Sequence, residues 1–220
     1  MIRLLRPRHI SGALLFAATS LAPAAAATNE TQGWLTESLV IKASDADTIS
    51  LDTSQRFRRD SSNGEQQTVR VLLDHRIAPG VQIGGGIAYF HSEPEQEMRL
   101  FQQATFSKGV WVARTRIEQR FFDTADRASW RLRQRVQASL PLDAAKKWTL
   151  IAATELMFHL NRARPSDKTG LAVMRNQIGL RHPISKAVDA QLLYMRQQTF
   201  RDGRPDAVAH IPWLTLSWKI

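Results

Sequence analysis

The side chains of this chain with chemical capacity are chiefly arginines and glutamates. The stretch VWVARTRIEQRFF (110–122) sets Arg114, Arg116, Glu118 and Arg120 at every second position, and WRLRQRV (130–136) does the same with Arg131, Arg133 and Arg135. Arg99, Glu155 and Arg175 continue the pattern. A hydrolase built on carboxyl groups needs one of them kept protonated, whereas Glu118 and Glu155 sit among guanidinium groups that hold a carboxylate in its charged form. The histidines His75, His91, His159, His182 and His210 have no metal-ligand spacing, and no serine nucleophile motif accompanies His91 or His159. The chain has no cysteine, so thiolate metal sites, cysteine nucleophiles and disulfides are excluded. The run Gly84-Gly85-Gly86 lies within an extended segment with no helix after it, which makes it a bend or close-packing device and not a phosphate loop. No catalytic residue, metal site or cofactor is expected.

The charges are positioned by alternation. Val69, Val71, Leu73 and Ile77 alternate with Thr68, Arg70, Asp74 and Arg76, and Trp130, Leu132, Val136 and Leu140 with Arg131, Arg133 and Arg135. A period of two means strands with one apolar and one polar face. The segments predicted as strands are 34–43, 47–58, 66–77, 81–91, 96–107, 110–122, 128–140, 147–160, 170–182, 187–199 and 207–219. They exceed the usual soluble strand of about 5–6 residues and suit a tilted membrane strand of about 9–11.

Residues 1–27 read as an export signal: Arg3, Arg6 and Arg8, an apolar stretch, then small residues up to a cleavage point near Ala27. The whole chain carries 30 Lys plus Arg against 20 Asp plus Glu. Removing three arginines leaves 27 against 20, a surplus of seven. Export excludes the reading of this basic charge as nucleic-acid binding. No later stretch suits a membrane helix, so entry into a membrane requires a closed barrel. Short and long connections alternate, which predicts an all-β, antiparallel up-and-down transmembrane barrel over 28–220 in the bacterial outer membrane. Eleven segments conflict with the even strand number usual for such barrels. The expectation is therefore about ten strands, with twelve as the alternative and 34–43 as an irregular piece.

The apolar face should meet lipid and the charges should line the lumen. Centring each hairpin on its loop predicts a belt Arg99–Glu118–Arg133–Glu155–Arg175, in which each residue faces the next across the sheet. A slip of one residue would turn the arginines into lipid, at about 2–4 kcal/mol each near the midplane. Trp111, Trp130, Trp148 and Trp218 fall near segment ends, as interfacial aromatics do. Two readings of the lumen stand: a salt-bridged structural plug, or a narrow pore whose surplus arginines favour anions.

The segments RTRIEQRFF (114–122), WRLRQRV (130–136), TELMFHLN (154–161) and RNQIGL (175–180) resemble a bacterial family of uncharacterised proteins, domain of unknown function 2490. Glu118, Arg133 and Glu155 match its charged positions. Where the family has Asn-Arg this chain has Asn176-Gln177, and Arg175 on the same face stands in for that charge. The resemblance implies an exported outer-membrane barrel and assigns no activity. The ending WLTLSWKI (213–220) is similar to the C-terminal strand signal read by the barrel-assembly machinery. Outer-membrane lipid and lipopolysaccharide are the other expected partners. The expected role is non-catalytic, structural or as a narrow pore. The alternatives are an outer-membrane lipid hydrolase or acyltransferase and a soluble periplasmic anion-binding β-protein.

Overall fold

The computed structural model describes residues 27–58 and 64–220. Of the export signal expected over 1–27, only Ala27 lies within them. The strands are β1 (Thr28–Thr31), β2 (Gly33–Lys42), β3 (Asp47–Phe57), β4 (Gln66–Ala78), β5 (Val81–Ser92), β6 (Glu95–Lys108), β7 (Trp111–Phe122), β8 (Ser129–Pro141), β9 (Thr149–His159), β10 (Gly170–Pro183), β11 (Val188–Thr199) and β12 (Ala207–Lys219). Each of the eleven predicted segments coincides with one of β2–β12 to within two residues. Only β1 was without a predicted counterpart.

From β2 to β12 every strand pairs with its neighbours in sequence, and β12 closes the sheet on β2. The sequential pairs are antiparallel, and the closing pair is parallel because an odd number of strands makes the circuit. β1 lies in step with β2 along the same neighbour: Thr28 faces Ala207 and Trp34 faces Trp213. The barrel therefore has eleven strands plus one short extra. The count falls between the ten and twelve that the even-number rule suggested, and the segment expected to be irregular is the one that shuts the wall. The ends of β2 and β12 are tied by Ile220 N–H donating to Val40 O at 3.0 Å and Lys42 N–H donating to Ile220 O at 3.0 Å.

Alternation decides the faces. Val69, Val136 and Leu192 on the outer wall are 55%, 52% and 60% exposed, whereas the inward Arg116, Glu118 and Glu155 are 2%, 1% and 1% exposed. This inverts a water-soluble protein and fits a wall wetted by hydrocarbon. Among the described residues no helix is long and apolar enough to cross a membrane. Besides Asp47 and Lys108 at strand ends, two charged strand residues break the pattern. Glu37 shares the outer face with its ladder partners Thr53 and Leu216. Arg196, opposite Asn176 and His210, also faces out. Arg196 sits near the long-loop end of β11 and donates through Nη1 to Gln198 Oε1 at 3.0 Å, where a long side chain can reach the polar rim. The lumen is not uniformly charged either. Trp34, Met195, Ala209 and Ile211 form one apolar cluster inside it, and Leu72, Ala88, Phe90 and Phe101 another.

The second cluster depends on Gly86, which lies between Leu72 and Phe101 in the ladder. A Cβ there would come within 2.1 Å of Val71 O and 2.8 Å of Phe101 Cζ. Gly86→Val should therefore lower stability by about 1–3 kcal/mol through overpacking, seen as an earlier midpoint in urea unfolding. An unchanged midpoint would show that the wall yields there.

At the short-turn rim, Asp143 organises the 142–148 connection. Its Oδ1 accepts the Lys147 N–H at 3.0 Å and its Oδ2 the Trp148 N–H at 2.6 Å. These bonds hold the carboxyl below its ordinary value. A depressed folded value means that the turn's order is present above the unfolded carboxyl range and lost as the pH falls through the folded one. Amide resonances of Lys147 and Trp148 should shift together on acidification below about pH 4, and Asp143→Asn should abolish that step.

Candidate functional site: the charged lumen

All ten arginines and glutamates singled out in the sequence point into the lumen, placed there by the alternation of β6 to β10. Three carboxylates organise them. Glu118 binds Arg131, which donates through Nε at 2.7 Å, and Arg133, which donates through Nη1 at 2.7 Å; Arg116 Nη1 lies 3.9 Å away. Glu155 accepts from Arg133 Nη2 at 2.7 Å and Arg114 Nη2 at 2.8 Å, with Arg175 Nη1 at 3.7 Å. Glu97 holds Arg99 and Arg120. Arg133 bridges Glu118 and Glu155 and joins two of these groups into one network.

The register differs from the centred hairpins. Glu118 faces Arg131 and Phe101, Arg133 faces Arg116 and Met157, Glu155 faces Arg135, and Arg99 faces Arg120. Only the predicted pairing of Glu155 with Arg175 is found in the ladder. The other three are displaced by two residues because the connections centre elsewhere: the ladders close at Lys108 opposite Trp111 and at Pro141 opposite Thr149, and the β7–β8 connection is asymmetric. Paired residues end at Arg120 opposite Ser129, while Asp123 N–H turns to Gln96 O at 3.1 Å. Across 142–148, Leu142 N–H donates to Trp148 O at 2.8 Å. A shift of two keeps every side chain on its own face. The long guanidinium arms then reach diagonally, so Arg133 contacts both glutamates without facing either.

Several lumen residues were not singled out in the sequence. Glu97 pairs two arginines, Asp52 accepts from Arg70 Nε at 2.7 Å, and Arg56 lies 4.0 Å from the Trp34 ring. Arg99 lies 3.4 Å from the Phe90 ring and Arg116 4.2 Å from Phe101, distances at which a cation is held by the aromatic quadrupole. The signal for these was the inward parity they share with their strand neighbours. Along the middle of the lumen, Arg56, Arg70, Arg99, Arg114, Arg116, Arg120, Arg131, Arg133, Arg135 and Arg175 meet Asp52, Asp74, Glu97, Glu118 and Glu155. Ten cations against five carboxylates leave a positive interior.

Open space is divided into three levels. A cavity of about 290 Å³ near the short turns is lined by Asp74, Arg114, Arg135 and Gln137. A central one of about 130 Å³ lies among Trp34, Arg56, Thr68, Phe90, Arg133 and Arg175. A third of about 390 Å³ opens toward the long loops beside Glu97, Arg99, Arg120 and Arg164. There the 160–169 connection reaches across, with Arg164 bound to Glu95 and Thr124.

The four tryptophans expected at the interfaces lie on the outside, with Trp111, Trp148 and Trp218 toward the short-turn rim and Trp130 toward the loops. They are 53%, 46%, 37% and 36% exposed in that order. Trp148 stacks on His182 with ring centroids 4.3 Å apart. His159 points inward, but its Nδ1 lies 3.2 Å from Lys168 O, with no serine bonded to it among the described residues. No group of three or more His, Asp or Glu among the described residues could hold a metal ion.

No curated protein matches the chain in sequence. Among solved structures it is similar to the NanC porin, with a TM-score of 0.54 at 10% identity, over 80% of this chain and 92% of that one. At that identity the likeness concerns the fold, a porin-like β-barrel. The model of the family described as "Protein of unknown function (DUF2490)" matches residues 31–208, and the chain, with its arginine-lined barrel, belongs to that family.

Proposed function

We propose that this protein is a non-catalytic outer-membrane channel of narrow bore whose lumen favours anions. The observation that carries the reading is the interior excess of five arginines in a barrel whose outer wall is apolar. Anions entering such a passage meet a positive potential strengthened by its low-dielectric walls. The tryptophans and Arg196 would mark the two lipid interfaces, with outer-membrane lipid and lipopolysaccharide around them. The alternating end of β12 would serve recognition by the barrel-assembly machinery.

The test is reconstitution in planar bilayers under a potassium chloride gradient. The expected result is a small conductance with a reversal potential of the sign set by chloride. A cation-directed potential would overturn the anion preference. Absence of current at any voltage would favour a second reading, a sealed structural barrel. The three-arginine groups around Glu118 and Glu155 support that reading, since they occupy much of the cross-section.

A further inference from the structure

The central cavity contains two donors that the protein leaves unused. Arg56 Nε and Thr68 Oγ1 are both buried and have no hydrogen-bond partner among the described residues, and both residues line this one cavity. The ladder makes them neighbours. Arg56 faces Trp34 on β2 and Gln66 on β4; Ser54, two residues earlier on the same face, is opposite Thr68, and Thr68 is opposite Phe90.

Arg56 is also the cation here with the least compensation. Its Nη1 donates to Gln66 Oε1 at 2.7 Å, and its guanidinium is held by the Trp34 ring at 4.0 Å and the Phe90 ring at 5.3 Å. Among the described residues no carboxylate lies within ion-pair distance of it, whereas Arg99 and Arg175 are among its charged neighbours. The carboxylates on the cavity wall are engaged elsewhere: Asp52 by Arg70, and Glu118 by Arg131 and Arg133. A buried, uncompensated positive group is expensive, and so is an unmade hydrogen bond beside it. Water could satisfy the Nε–H, but it would leave the charge. A guanidinium N–H donates only, and a hydroxyl can donate. The ligand that answers both donors is therefore an acceptor carrying negative charge.

We propose that this cavity is a binding site for a small oxyanion of the carboxylate or phosphate type. Its oxygens accept from Arg56 Nε and Thr68 Oγ1, and the rings of Trp34 and Phe90 wall the site. The proposal deepens the reading of the lumen as an anion path and relies on it for access from solution. It assigns one place where an anion dwells, which a diffuse positive lumen does not require.

The experiment is calorimetric titration of the folded, full-length mature barrel in neutral detergent, with inorganic phosphate and separately with acetate, at constant ionic strength in chloride. Saturable binding of at least one probe is expected. Arg56→Gln should weaken it roughly tenfold to a hundredfold, as loss of a hydrogen bond to a charged donor does. Thr68→Val, which keeps the shape, should weaken it several-fold and guards against the case in which Arg56→Gln does not fold. Lys186→Gln, which removes a charge from an exposed turn outside the lumen, should bind as the parent does. No saturable heat with either probe, or unchanged affinity in both Arg56→Gln and Thr68→Val, would overturn the site and leave the donors to water. The channel reading fails separately. A barrel that binds phosphate but carries no current keeps the site and loses the path, while an anion-selective current without saturable binding does the reverse.

Discussion

Glu118→Leu should destabilise the barrel by about 3–5 kcal/mol. The carboxylate is 1% exposed and takes hydrogen bonds from Arg131 and Arg133 while Arg116 lies at 3.9 Å. Removing it strands cations in a space from which water is largely excluded. That is the mechanism by which a single substitution reaches this size: the surviving partners have lost their solvent and gained nothing. Glu118→Gln should fall between, since the amide oxygen still accepts but carries no charge. The double variant Glu118→Leu with Arg131→Met should recover part of the loss, because it removes one stranded cation together with the anion. The measurement is the urea midpoint at which gel migration ceases to be heat-modifiable in lipid vesicles. An unchanged midpoint for Glu118→Leu would mean that the lumen is wet enough to solvate the Arg131 guanidinium and the one N–H group for which Arg133, still held by Glu155, loses its partner, and this carboxylate would then have no structural role.

The second large effect concerns ion selectivity, and the register determines where to seek it. Arg131 is a poor probe, since a glutamate there would oppose Glu118 and remove one of its two closest partners. Arg135 is better. It faces Glu155 in the ladder, but its Nη2 donates to Gln137 Oε1 at 2.8 Å, and Glu155 remains held by Arg114 and Arg133. Arg135→Gln therefore removes one charge beside the short-turn cavity without placing a second carboxylate opposite Glu155, and leaves the ion pairs intact. One charge about 7 Å from a passing ion in a water-like dielectric amounts to about 0.6 kcal/mol, or about threefold in each ion's barrier. Anion preference in bilayers should fall accordingly, with stability little altered. An unaltered reversal potential would show that ions do not pass this cavity.

The first and last strands illustrate how far a general rule carries. Each of the eleven segments was legible from its period of two, because a membrane wall forces apolar and polar positions to alternate along every strand. The rule that barrels of this kind have even strand numbers nonetheless marks the segment 34–43 as irregular. Nothing local in Trp34, Thr36 or Ser38 says that they will lie parallel to Trp213, Thr215 and Ser217. That pairing joins residues at opposite ends of the chain and is settled only when the circuit closes.

The amino-acid order by itself determined which face each charged residue would take, since a slip of one position would have put every arginine of a strand into hydrocarbon. It did not determine which glutamate each arginine would meet. A slip of two preserves the faces, and the choice between such registers rests on where each connection closes, as Asp143 with its backbone bonds does for the 142–148 turn. The unsatisfied pair Arg56 and Thr68 belongs to the same class. Their residue types and parity were readable in the chain, but that no carboxylate among the described residues comes within reach of Arg56 is a fact about the lumen's three-dimensional filling.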